Sequence, residues 1–114
     1  MQMDDLFEMS NIRKSESGLP VNIYVSSGGS VNRQHGPRIK VMRSRGDRMN
    51  PYDTISVMLK HDITADDVIG YDQMPQDVLT KVREYVNLNH DTLLAYWNDE
   101  ISTSDLISRL RPIT

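Results

Sequence analysis

From Leu19 onward apolar and polar side chains alternate, with Val21, Ile23 and Val25 on one side and Asn22, Tyr24 and Ser26 on the other. That period of two predicts a half-buried strand. Ser27-Gly28-Gly29-Ser30 ends it, and the chain passes through Asn32 and Gly36-Pro37 before a second alternation sends Ile39 and Val41 inward and Arg38, Lys40 and Met42 outward. A polar loop from Ser44 to Asp53, punctuated by Gly46 and Asn50-Pro51, leads to a third strand carrying Ile55, Val57 and Leu59 on one face. Strands joined by connections of this length predict antiparallel pairing, because a parallel pair needs a long crossover.

The period then lengthens. Val78, Leu79, Val82, Tyr85, Val86, Leu93, Leu94 and Trp97 recur at three- and four-residue steps, and Pro75 and Asp77 suit a helix start. A continuous helix from Gln76 to Trp97 would measure ~33 Å against ~17 to 20 Å for a strand. Asn87, Asn89 and Asp91 are weak helix formers clustered midway, so a break is expected there, with Asn89 capping a second piece that begins near Asp91. Ser102 or Thr103 is placed to cap a last helix from Ser104 to Leu110, closed by Pro112. The predicted fold is α+β: a small two-layer sandwich in which a three-stranded antiparallel sheet is covered by helices from the C-terminal half. Residues 1–18 read as an N-terminal extension, in which Leu6, Phe7, Met9 and Ile12 are spaced for a short docking helix, and residues 19–114 as one domain.

Composition supports a folded chain. With 38% hydrophobic and 25% charged residues, the 114-residue protein stays clear of the regime in which chains remain unfolded. It has no cysteine, which excludes disulfides, thiolate metal sites and cysteine nucleophiles. Met1-Gln2-Met3-Asp4-Asp5 lacks the basic start and apolar core of a signal peptide, and no run approaches the ~20 apolar residues of a membrane span. The expectation is a soluble cytoplasmic protein without membrane partners.

Charge is unevenly spread. The net charge of -3 conceals a basic segment from Arg33 to Arg48, with six Lys/Arg against Asp47 alone, and an acidic stretch from Asp53 to Asp105 with eleven acids against three bases. Within the basic segment, the run His35-Gly36-Pro37-Arg38-Ile39-Lys40-Val41, preceded by Tyr24 and followed later by Asn89, Leu93, Leu94 and Trp97, resembles a family of small bacterial domains of unknown function. That family carries a loop-to-strand signature H-x-P-P-H-x-H-V and a helix ending in N-x-x-x-L-L-x-x-W. The resemblance spans roughly Leu19 to Asp99. Because members are often encoded beside a second small protein in toxin–antitoxin-like pairs, it implies a protein partner and no particular reaction. Arg38 and Lys40 occupy the positions of the family's two strand histidines, and only His35 keeps its own.

Enzymatic chemistry finds little footing. His35, His61 and His90 lie far apart in sequence without metal-ligand spacing, and the serines around Gly28 and Gly29 lack a nucleophile elbow. His61 and His90 therefore read as surface histidines, and no catalytic residue, metal or cofactor is expected. The candidate binding residues are Tyr24, Arg33, His35, Arg38, Lys40, Arg43, Arg45 and Arg48. They suit a non-catalytic protein-binding module, antitoxin-like or inhibitory, that recognises an acidic surface on a partner such as a paired gene product, a bacterial defence protein or a second copy of the chain. Two alternatives remain at this stage. One is nucleic-acid binding on an open sheet face carrying Tyr24, Arg38, Lys40, Met42, Met58 and Lys60. The other is a phage-type counter-defence inhibitor of a bacterial immune complex.

Overall fold

The computed structural model describes residues 9–27, 36–69 and 73–113. The strands are β1 (Met9–Ile12), β2 (Ile23–Ser26), β3 (Arg38–Met42), β4 (Thr54–Met58) and β5 (Val68–Ile69). The helices are a single turn α1 (Lys14–Ser17), the long α2 (Gln76–Trp97) and α3 (Thr103–Arg109). All strands join one antiparallel sheet in the order β1-β2-β3-β4-β5. The expected three-stranded sheet is thus corrected to five strands, while the α+β class and the C-terminal helices stand. Both additions are edge strands: β5 has only two residues, and the apolar residues of β1, Met9 and Ile12, stand three apart, a helical step rather than an alternation. Of the residues expected in a docking helix, Leu6 and Phe7 lie outside the described residues, whereas Met9 and Ile12 belong to β1, whose Met9, Ser10, Asn11 and Ile12 face Ser26, Val25, Tyr24 and Ile23 of β2.

Register confirms the alternation of the central strands. Ile23 lies opposite Val41, which lies opposite Ile55, and Val25 lies opposite Ile39, which lies opposite Val57. These residues are buried, and all except Ile55 join one contiguous core with Val78, Val82, Tyr85, Val86, Leu93 and Trp97 of α2 and Leu106 of α3. Non-polar surface removed from water on this scale is the main stabilising term of the fold. Tyr85 sits so deep that burial pushes its hydroxyl well above the usual phenol range.

The expected helix break is absent: α2 runs uninterrupted for 22 residues. Asn89 points inward instead of capping a new helix. Its side chain is 3% exposed, donates to the carbonyls of Tyr85 (3.0 Å) and Arg111 (2.9 Å), and accepts from the Arg111 N–H at 2.8 Å. A weak helix former is tolerated mid-helix because it satisfies the backbone of the segment that follows α3. Ser102 caps α3 by accepting from the Asp105 N–H at 3.1 Å, and the Asp105 carboxylate accepts in return from the Ser102 N–H at 3.3 Å. The chain then returns to α1, where the Ile113 N–H donates to the Ser17 carbonyl at 2.8 Å. Gly18 follows with φ +83°, and a β-carbon there would stand 1.9 Å from the Ile113 carbonyl oxygen, so only glycine fits.

Candidate functional site

β3 begins at one end of α2 and delivers the basic loop to the other, which divides the cations of the segment. Arg38, at the start of β3, is half-buried with its guanidinium 5.6 Å from the ring centroid of Trp97 in the last turn of α2. A cation is favoured both over an indole face and beside a helix C-terminus, and burial lowers the Arg38 pKa. Lys40 is half-buried in the middle of the sheet, opposite Tyr24 on one side and Ser56 on the other.

The face shared by Tyr24 and Lys40 is not open. Tyr24 is 4% and Met42 2% exposed, whereas Met58 and Lys60 reach solvent. Burial raises the Tyr24 pKa, with the Arg13 charge opposing it. With its ring buried, Tyr24 offers no open face of the kind that the alternation suggested. Lys60 is engaged by the Asp67 carboxylate at 2.9 Å. Arg33 and His35, also expected at the site, lie outside the described residues.

The loop from Arg43 to Asp53 is held from several sides. The Arg43 N–H donates to the Asp53 carbonyl (3.0 Å), and the Ser44 hydroxyl donates to the Asp53 carboxylate at 2.6 Å. Arg45 makes a two-pronged pair with Asp77 in the first turn of α2, at 2.9 and 2.8 Å. Each partner favours the charged form of the other, raising the Arg45 pKa and lowering that of Asp77. The Lys14 ammonium donates to the Arg45 carbonyl at 2.6 Å and meets Asp47 at 3.1 Å. Buried Asn22 accepts from the Lys14 N–H at 2.8 Å and turns its amide toward the carbonyls of Gly46 and Asp47.

What this scaffold leaves outward is specific. Arg43 and Arg48 are exposed, and Arg48 makes no ion pair among the described residues. Arg48, Met42, Ser44, Asn50 and Asp53 line a shallow groove of about 210 Å³. At its margin the Asn50 side chain accepts from the Tyr52 N–H (3.0 Å), a local turn that leaves Tyr52 75% exposed. Tyr52 was missed in the sequence because it sits in a loop without periodicity. Asn50-Pro51 was the available signal, since an Asn-Pro turn lifts the residue after it.

His61 and His90, both read as surface histidines, are brought together, with His61 exposed and the His90 side chain only 17% exposed. The rings of His61 and His90 are stacked with centroids 4.1 Å apart and planes inclined by 31°. Among the described residues no group of three or more His, Cys, Asp or Glu side chains is arranged to hold a metal, and no helix is long and apolar enough to cross a membrane. Comparison of the chain with protein-family models, curated proteins and solved structures finds no match.

Proposed function

We propose that the chain is a non-catalytic protein-binding module, antitoxin-like or inhibitory in action, whose binding surface is the loop from Arg43 to Asp53. The observation that carries this reading is a loop tied by hydrogen bonds and ion pairs that nonetheless holds Tyr52 75% exposed in the same stretch as exposed Arg43 and Arg48. Tyrosine and arginine are the side chains that most often dominate interface energy, and a loop ordered before binding loses little entropy on association. Arg45 belongs to the scaffold of this surface, because Asp77 neutralises it. Arg38 lies at the other end of α2 and contributes through Trp97 to the fold.

The partner surface is acidic, matched to the arginines, with an apolar recess for the Tyr52 ring. The nucleic-acid alternative loses its main support with Tyr24 buried, since base stacking needs a free ring face. The test is affinity capture from a lysate of the source cells with wild type, Tyr52→Ala and Arg43→Glu/Arg48→Glu, followed by identification and reconstitution of the captured protein. A discrete acidic protein lost with either variant is the expected result. Capture that survives both variants, or that nuclease treatment abolishes, would overturn the proposal.

A further inference from the structure

Midway along α2, about 13 residues and therefore ~20 Å from the Asp77 end, a separate groove of about 540 Å³ opens between α2, the turn after β4 and the chain leaving α3. Its chemistry is set by His61, His90, Ser108, Arg109 and Arg111, with Asp91 at the margin. Three observations point to a built site. First, the two imidazoles are stacked, His90 with only 17% of its side chain exposed and His61 exposed on the outer side. Secondly, the backbone of Arg111 is fixed on both its N–H and its carbonyl by buried Asn89, which leaves the side chain of Arg111 exposed in the groove. Thirdly, the nearby Asp62 carboxylate accepts from the Asn87 amide at 3.0 Å, and the exposed Asp91 carboxylate lies 3.4 Å from His90 Nδ1.

Charged groups surround the imidazole pair on several segments. The turn after β4 supplies His61 and Asp62, α2 supplies His90 and Asp91, α3 supplies Arg109 with Asp105 close enough to feel its charge, and the following segment supplies Arg111. Two guanidiniums and two imidazoles form a donor-rich recess, and the planar donors of arginine match an oxyanion. A metal would need ligand nitrogens converging on one point, and no three-ligand group exists among the described residues. We infer that this groove binds the phosphate group of a small phosphorylated molecule, with Arg109 and Arg111 gripping the oxygens and the stacked His61–His90 pair forming one wall.

The experiment is an amide-resolved NMR titration of the full chain with inorganic phosphate and, in parallel, a nucleoside monophosphate, with chloride as control. Expected are saturable shifts confined to residues around His61, His90 and Ser108 to Arg111. Arg109→Gln/Arg111→Gln should weaken binding roughly tenfold or more while leaving the urea midpoint in place, because only the Arg111 backbone is used by the fold. A larger affinity for the nucleoside monophosphate assigns a base to the outer face of His61, and equal affinities assign the phosphate alone. Linear, non-saturating shifts, shifts centred on the loop from Arg43 to Asp53, or a transition metal held stoichiometrically by His61 and His90 would overturn the inference. So would unchanged affinity in the double variant.

Discussion

Replacing Asn89 by Ala separates packing from hydrogen bonding at the point where α2 holds the C-terminal segment. The wild-type amide makes three hydrogen bonds, to the carbonyls of Tyr85 and Arg111 and from the Arg111 N–H, all between 2.8 and 3.0 Å. At a net ~0.5 to 1.5 kcal/mol each they contribute about 1.5 to 4.5 kcal/mol, with the upper part of the range applying if the Arg111 backbone stays buried without partners. The Tyr85 carbonyl loses less, because it keeps its place in the helix ladder. Beyond Arg111, Ile113 is 5% exposed and its N–H is tied to Ser17, so release of the clamp puts that contact at risk too. A loss of about 2 to 4 kcal/mol is expected. With a urea slope of ~1 to 3 kcal/mol per molar, it lowers the midpoint on the order of 1 to 2 M. Hydrogen exchange supplies the second readout: the Arg111 and Ile113 amides should lose protection in Asn89→Ala before the β3 amides do. A midpoint unchanged within error, or an Arg111 amide still as protected as in wild type, would refute the clamp.

Leu93→Ala removes a side chain that is 0% exposed in the centre of the core, and a loss of ~2 to 5 kcal/mol is expected from calorimetry or urea unfolding; an unchanged midpoint would mean that α2 does not cover the sheet. Asp67 has a lowered pKa, chiefly through the Thr64 N–H that donates to it at 2.8 Å and also through Lys60, with burial opposing. A carboxylate depressed in the folded state stabilises above its unfolded value of about 3.9, and that contribution is lost as pH falls through the lower folded value. Asp67→Asn should therefore lower stability at neutral pH and flatten the acid decline of the unfolding midpoint below about pH 4, whereas an identical acid profile would exclude Asp67 as a contributor.

Residues whose role is periodic were legible from the amino-acid sequence. Alternation along Val21 to Val25, Arg38 to Met42 and Ile55 to Leu59 gave three strands and their inward faces, and the three-and-four spacing from Val78 to Trp97 gave the covering helix, because burial on one face forces those periods whatever the partner. A cap for α3 at Ser102 or Thr103 was legible too, since capping is settled within four residues, and the structure gives it to Ser102. The edge strands were not: Met9–Ile12 and Val68–Ile69 are strands because β2 and β4 offer them backbone partners, and pairing of that kind leaves no local mark. Tertiary structure likewise decided that Asn89 clamps Arg111 across 22 positions in sequence instead of breaking the helix. The basic segment shows the same division. Sequence counted its positive charges, but only the fold could bury Tyr24, spend Arg45 on Asp77, seat Arg38 over Trp97 and raise Tyr52 into solvent, because exposure and ion pairing depend on neighbours that the chain brings together from a distance. The stacked His61 and His90, 29 residues apart, are the same lesson in its simplest form.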